Sequence, residues 1–147
     1  MRMPTKTLGA VTAGALSILL SAQVMAHGDV TPQTMDTHEL QQLGEEWLEE
    51  NPYTPEYEKH NVAVEIGFSA YTQNCARCHG LEAISGGIAP DLRYLEPGIE
   101  GDEWYKYRVL NGAVRDGRVY MPKMAEYLSQ EALWAIRAWL ETVATTE

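Results

Sequence analysis

The sequence predicts an all-α domain, and three observations carry that prediction. Apolar residues recur at helical spacing in several segments. No run alternates apolar and polar residues as a half-buried strand would. Long stretches punctuated by glycine and proline separate the helical segments.

The elements follow in order. Arg2 and Lys6 precede an apolar run from Leu8 to Leu20, and Val24-Met25-Ala26 places small residues at a cleavage end. This reads as a secretory signal peptide over residues 1–26, with the mature chain starting at His27. The apolar run is short for a membrane span, although an uncleaved anchor is the alternative. Residues 27–60 form an N-terminal extension. Within it Leu40, Leu43, Trp47 and Leu48 share one face of a helix expected over His38 to Glu50, ended by Asn51-Pro52. That stripe must cover the following domain or a partner.

Residues 61–147 make the main domain. A helix is expected over Asn61 to Asn74, with Val62, Ile66, Ala70 and Tyr71 near one face. Gly67 in its middle costs about 1 kcal/mol against alanine and so marks a close approach of another element. Gly80 to Pro97 is irregular and long enough to need a reason, such as wrapping a cofactor edge. Asp102 to Leu110 reads as a short helix closed by Asn111-Gly112. Val114 to Tyr127 reads as irregular and contains Met121-Pro122. Ser129 caps a last helix whose stripe is Leu133, Ile136 and Leu140, with Ala132 and Trp139 beside it.

The first of these helices runs into Cys75-Ala76-Arg77-Cys78-His79, a C-x-x-C-H pattern whose chemistry is covalent haem attachment. The two thiols would add to the haem vinyl groups and the imidazole would bind the iron. Three rivals use the same cysteines. A structural zinc site needs about four ligands, and no second Cys/His pair stands at ligand spacing. A thioredoxin-like redox pair wants a preceding strand. A Cys75–Cys78 disulfide closes so short a loop that it constrains the unfolded chain little. Export accords with haem, since c-type attachment takes place outside the cytoplasm in bacteria.

A single motif implies one haem. Methionine at the sixth iron position raises the reduction potential and suits electron transfer, whereas an open position suits oxygen chemistry. Met121 is the foremost sixth ligand, with Met124 as competitor and a histidine or open site as further alternatives. His38 and His60 read as surface residues. His27, as a new amino terminus, could chelate copper but has no evident second ligand. Pro90 offers a carbonyl to orient the second ring nitrogen of His79. Arg93, Trp104 and Arg108 are candidate donors to the haem propionates, with ordinary packing as the alternative for each.

Charge narrows the partners. After residue 26 the chain holds nine basic against 21 acidic residues, a formal charge of −12. That excludes a basic footprint for nucleic acid and disfavours anionic lipid. No residue set calls for acid–base catalysis, so an electron carrier is favoured over a small haem peroxidase. A haem subunit held permanently by a dehydrogenase stays open because of the Trp47 stripe.

These motifs together resemble a class I monohaem cytochrome c. Gly67 and Tyr71 match the first-helix positions that pack against an aromatic residue of the last helix, here Trp139. Cys75-x-x-Cys78-His79-Gly80 matches the haem motif. Ala89-Pro90-Asp91-Leu92 is similar to a G-P-x-L loop with alanine in place of its glycine. Asn111-Gly112, Met121-Pro122 and Leu128-Ser129-x-Glu131 match the methionine loop and last helix. His27 to Gln33, Leu43 to Trp47 and Asn74 to Leu92 further resemble the PedF-type periplasmic cytochromes c associated with pyrroloquinoline-quinone (PQQ) ethanol dehydrogenases. The resemblance implies a small cytochrome c fold around one covalent haem. It further implies a periplasmic monomer that takes electrons from a PQQ-dependent alcohol dehydrogenase and passes them towards a terminal oxidase.

Overall fold

The computed structural model describes residues 32–146, so the leader expected over residues 1–26 and His27 lie outside the described residues. Four helices follow the extension: α1 (His60–Asn74), α2 (Ala76–His79), α3 (Ile99–Asn111) and α4 (Gln130–Thr142). Between α3 and α4 stands a hairpin of β1 (Ala113–Arg115) and β2 (Arg118–Met121). Among the described residues no helix is long and apolar enough to cross a membrane.

The fold is built around α4. Ser129 caps it by accepting the Ala132 amide at 3.2 Å, which satisfies one of the free N–H groups of the first turn. Every residue from Gln130 to Leu140 is buried, so the helix is enclosed on all sides rather than along the expected stripe. On one side α1 crosses it through a face of Ala63, Gly67, Ala70 and Tyr71. That face is turned by one residue from the expected Val62 and Ile66, which are half-buried. The small residues let the two backbones meet: a Cβ on Gly67 would collide with the Ala135 carbonyl. Trp139 then closes the crossing, its ring centred 4.4 Å from that of Tyr71 and 5.5 Å from that of Phe68.

The extension encloses the other side, and here one expectation is corrected. Residues 38–50 form turns and bends, not a helix. Their backbone groups are claimed by side chains of α4 and α3. The amide of Leu43 donates to Glu131 Oε1 at 2.7 Å, that of Leu48 to Gln130 Oε1 at 2.8 Å, and that of Asn51 to Asp102 Oδ2 at 2.7 Å. Gln130 Nε2 donates in turn to the carbonyls of Gly44 and Glu46. Gly44, at φ +80°, turns the chain where a helix would continue. Three of the four apolar residues still reach the core: Leu40 is buried, Leu43 is half-buried, and Trp47 lies 6.2 Å from the ring of Trp134, while Leu48 is exposed. The stripe therefore covers the chain's own last helix.

Beneath the extension runs a buried charge network. Arg137 on α4 is 1% exposed and donates through Nε to Asp102 Oδ1 on α3 at 2.7 Å. Its Nη2 reaches the carbonyl of Glu96 at 2.9 Å and the carboxylate of Glu141 at 3.1 Å. Burial of these charges is met by bonds on every side.

The second correction concerns Val114 to Tyr127, expected to be irregular. Its first half is the hairpin, turned at Asp116-Gly117 with φ of +49° and +73°. Asp-Gly supplies the two positive φ values that the tight hairpin turn demands.

Candidate metal centre

Cys75 joins α1 to α2. Its amide donates to the Tyr71 carbonyl at 2.8 Å, and the amides of Cys78 and His79 both return to the Cys75 carbonyl at 3.0 Å. This turn sets Cys75, Cys78 and His79 at i, i+3 and i+4, on one helical face. Gly80 leaves the turn at φ +84°, where an added Cβ would meet the Ile84 carbonyl. The Tyr71 hydroxyl donates to the Gly80 carbonyl at 2.7 Å and ties the turn back to α1.

The thiols are free, Cys75 half-buried and Cys78 exposed. Burial, with a smaller contribution from Cys78, pushes the Cys75 thiol up to about 12. It is therefore a neutral thiol at pH 7, the opposite of the lowered thiolate of a dithiol redox pair. Among the described residues no group of three or more His, Cys, Asp or Glu side chains could hold a metal ion.

His79 Nδ1 lies 2.8 Å from the carbonyl oxygen of Pro90. A carbonyl only accepts, so Nδ1 carries the proton and Nε2 keeps its lone pair for a metal. Pro90 is held by a small network that sequence reasoning missed. The Ser85 hydroxyl donates to the Ala89 carbonyl, and the Ser85 amide donates to Asp91 Oδ2 at 3.2 Å. Arg93 grips the same carboxylate through Nε and Nη2 at 3.0 and 2.8 Å. That paired bond, opposed by desolvation and assisted by the Arg93 and Ser85 amides, brings the Asp91 carboxyl down to about 2. The signal was present as Asp91 opening a short helical turn with a basic residue two positions on.

Met121 ends β2, half-buried, and Gly112 abuts its carbonyl so closely that an added Cβ would collide. Arg108 reaches the Gly112 carbonyl at 3.3 Å and lies 4.3 Å over the ring of Trp104. Trp104 is half-exposed and stacks near Tyr107. Of the competitors, Met124 is buried in the core. Met35 packs against that core. His38 is exposed and bonded to Asp36 at 2.7 Å, which holds it above the ordinary imidazole value. His60 is half-buried, not on the surface, with Nδ1 at 2.8 Å from the Tyr53 carbonyl.

This donor set fits a haem. Two thiols and an imidazole with a free Nε2 share one face. The segment after His79 presents Leu81, Ile84 and Ile88 outward, and the segment before Met121 presents Val114, Val119 and Tyr120. Apolar side chains beside the ligands suit a large apolar macrocycle.

Comparisons with known proteins agree. The family model described as cytochrome c oxidase, cbb3-type, subunit III, matches residues 62–140. The chain is 69% identical over 128 residues to cytochrome c550 of Pseudomonas aeruginosa, covering 87% of this chain and 88% of that one. It is 32% identical over 128 residues to quinohemoprotein alcohol dehydrogenase ADH-IIG of Pseudomonas putida, covering 87% of this chain but 17% of that enzyme. It is 34% identical over 77 residues to quinohemoprotein alcohol dehydrogenase ADH IIB of the same species, covering 52% of this chain and 11% of that one. No solved structure matches at comparable significance. Motif, helical crossing and relatives converge: the chain belongs to the c-type cytochromes, electron-transfer proteins that here carry one covalently attached haem c.

Proposed function

We propose that the chain is a periplasmic one-electron carrier, reduced by a PQQ-dependent alcohol dehydrogenase and oxidised by a terminal oxidase or a further cytochrome. The observation that supports the donor is the alignment with quinohemoprotein alcohol dehydrogenase ADH-IIG. Nearly all of this chain matches a small part of that enzyme, so a domain of this kind works within the same polypeptide as an alcohol-oxidising unit. A separate carrier would take over the same exchange between two proteins.

In this reading Cys75 and Cys78 form the thioethers, and His79 and Met121 bind the iron. The haem supplies a one-electron couple, and the protein's residues set its properties. Pro90 holds the His79 ring through Nδ1. Arg93 is engaged by Asp91 and Arg108 by Gly112 and Trp104, so the indole N–H of Trp104 is the donor we assign to a propionate, with the remaining N–H groups of Arg108 beside it. Burial of the iron with methionine ligation favours the reduced state and raises the potential. Since oxidation of an alcohol to an aldehyde releases two electrons, two carriers are reduced per turnover.

Stopped-flow mixing of the holo-cytochrome with a quinoprotein alcohol dehydrogenase and its alcohol tests the donor. Reduction within the turnover time of the dehydrogenase is expected. Reduction no faster than by the alcohol alone sinks the assignment. The reading as a permanently bound subunit loses its main reason, because the Trp47 segment packs on the chain's own α4. A well-behaved monomer on gel filtration is the expected result.

A further inference from the structure

The loop that follows the C-x-x-C-H turn is folded under strain. Glu82 and Ala83 stand one after the other in the left-handed region, at φ of +55° and +62°, which such residues seldom enter. Backbone of this kind persists only where its surroundings hold it, and it gathers at functional sites. Here the surroundings are visible. Ala83 is buried, the Tyr71 hydroxyl donates to the Gly80 carbonyl at 2.7 Å, and the Ile84 amide closes the turn on the Leu81 carbonyl at 3.1 Å. The strained turn brings Ser85 within bonding reach of residues 87 to 91.

Ser85 meets that stretch three times. Its hydroxyl donates to the Ala89 carbonyl and accepts the Gly87 amide at 2.9 Å, and its amide donates to Asp91 Oδ2 at 3.2 Å. Ala89 and Asp91 flank Pro90, whose own φ is fixed by its ring. With both flanks held, the direction of the Pro90 carbonyl is set, and that carbonyl lies 2.8 Å from His79 Nδ1. Asp91 is held in turn by the Arg93 amide at 3.1 Å and by the Arg93 guanidinium. The Arg93 carbonyl accepts the Thr145 amide at 2.9 Å, so the clamp is anchored on the segment that follows α4.

We infer that Ser85 is a positioning residue for the haem iron: by holding both flanks of Pro90 it fixes the carbonyl that orients His79, and through His79 it sets the reduction potential. A carbonyl that accepts the Nδ1 proton makes Nε2 a stronger donor, and a stronger donor favours ferric iron. A loosened carbonyl therefore shifts the potential upward. Ser85 acts through Pro90 rather than on the imidazole. The inference rests on His79 binding the iron through Nε2, and it is independent of which protein supplies the electron.

The test compares the holo-cytochromes Ser85→Ala and Ser85→Thr with the control Ser129→Ala, which deletes the capping hydroxyl of α4. Spectroelectrochemistry gives the midpoint potential. Proton NMR of the reduced, diamagnetic protein gives the solvent exchange of the His79 Nδ1 proton. Ser85→Ala is expected to raise the potential and to speed that exchange roughly fivefold, the equivalent of one net hydrogen bond. Ser85→Thr keeps the hydroxyl and is expected to restore both. Ser129→Ala is expected to lower the unfolding midpoint and leave both readouts at wild-type values. Ser85→Ala with a wild-type potential or wild-type exchange overturns the inference. An equal change in Ser129→Ala also overturns it, because general loosening would then be the cause. An equal change in Ser85→Thr does the same, because the hydroxyl would not be its origin. Wild type whose His79 ring protons lack the porphyrin ring-current shift of an iron-bound imidazole removes the ligand assignment and the inference together, whereas the other failures leave His79 on the iron. Should Ser85→Ala lose its haem spectrum, Asp91→Asn weakens the other flank and carries the comparison. A raised potential with faster exchange upholds the clamp, and a wild-type value of either overturns it.

Discussion

Gly67 on α1 lies against the backbone carbonyl of Ala135 on α4, closer than any side chain would permit. Replacing Gly67 by alanine forces the two helices apart or strains both. Overpacking of this kind costs about 1–3 kcal/mol. A chemical-denaturation midpoint lowered accordingly, with the haem spectrum retained in the folded fraction, is the expected outcome. An unchanged midpoint would mean that the crossing yields without cost.

Met121 is the thioether we assign to iron. Met121→Ala should abolish the weak long-wavelength absorption of a methionine–iron bond in the oxidised protein. It should also lower the reduction potential, by a share of the roughly 0.8 V that axial ligands span. Spectroelectrochemistry reads both. Retention of the band and the potential would show that another group binds the iron, and the buried position of Met124 makes it a poor substitute.

Arg137 and Asp102 are coupled by burial. Arg137→Met leaves the Asp102 carboxylate buried with the Asn51 amide as its remaining partner, and breaking such a pair costs about 3–5 kcal/mol. Replacing Asp102 by asparagine as well removes the stranded charge. The double variant is therefore expected to be more stable than Arg137→Met alone, and a thermal-melt double-mutant cycle measures the coupling. Additive losses would mean that the two groups act independently.

Asp91 sets an acid limit on the loop that holds His79. Its folded pKa, about 2, lies below the ordinary carboxylate value of about 3.9. Its stabilising contribution is therefore complete above about pH 4 and is lost as pH falls towards 2. Over that window the Ser85–Arg93 loop should loosen, and the haem absorption should shift as His79 loses its fixed partner. In Asp91→Asn that acid step should be absent, and the loop should already be looser at pH 7. An acid titration followed in the visible spectrum distinguishes the two proteins.

Much of this was legible because local and global signals agree. The run of Leu133, Ile136 and Leu140 behind a serine cap marks α4, and a glycine inside α1 marks the place where that helix is met. Residues 38–50 were not legible, because Leu40, Leu43, Trp47 and Leu48 imitate a helical stripe. Their amides are instead bound by Gln130 and Glu131, more than eighty residues away. The hairpin escaped for the opposite reason. Neither of its faces is buried, so no alternation marks it, and only Asp116-Gly117 betrays the turn. At the metal centre, C-x-x-C-H and its histidine stand out at once. Ser85 and Asp91 do not, since a side chain that steadies a carbonyl leaves no spacing rule behind.

The tie between the extension and the first turn of α4 also bears on the order of assembly. A chain made from its N-terminus presents residues 32–59 long before Gln130 and Glu131 exist to receive them. Contacts of such long sequence separation form late and slow the closing of a fold. Until then Leu40, Trp47 and Tyr53 have nothing to cover, and the thiols of Cys75 and Cys78 stand on an unfinished scaffold. The same arrangement makes the residues from Gln130 onward indispensable: a chain truncated before Gln130 loses the helix that α1, α3 and the extension are packed against, and with it the seat for its own beginning.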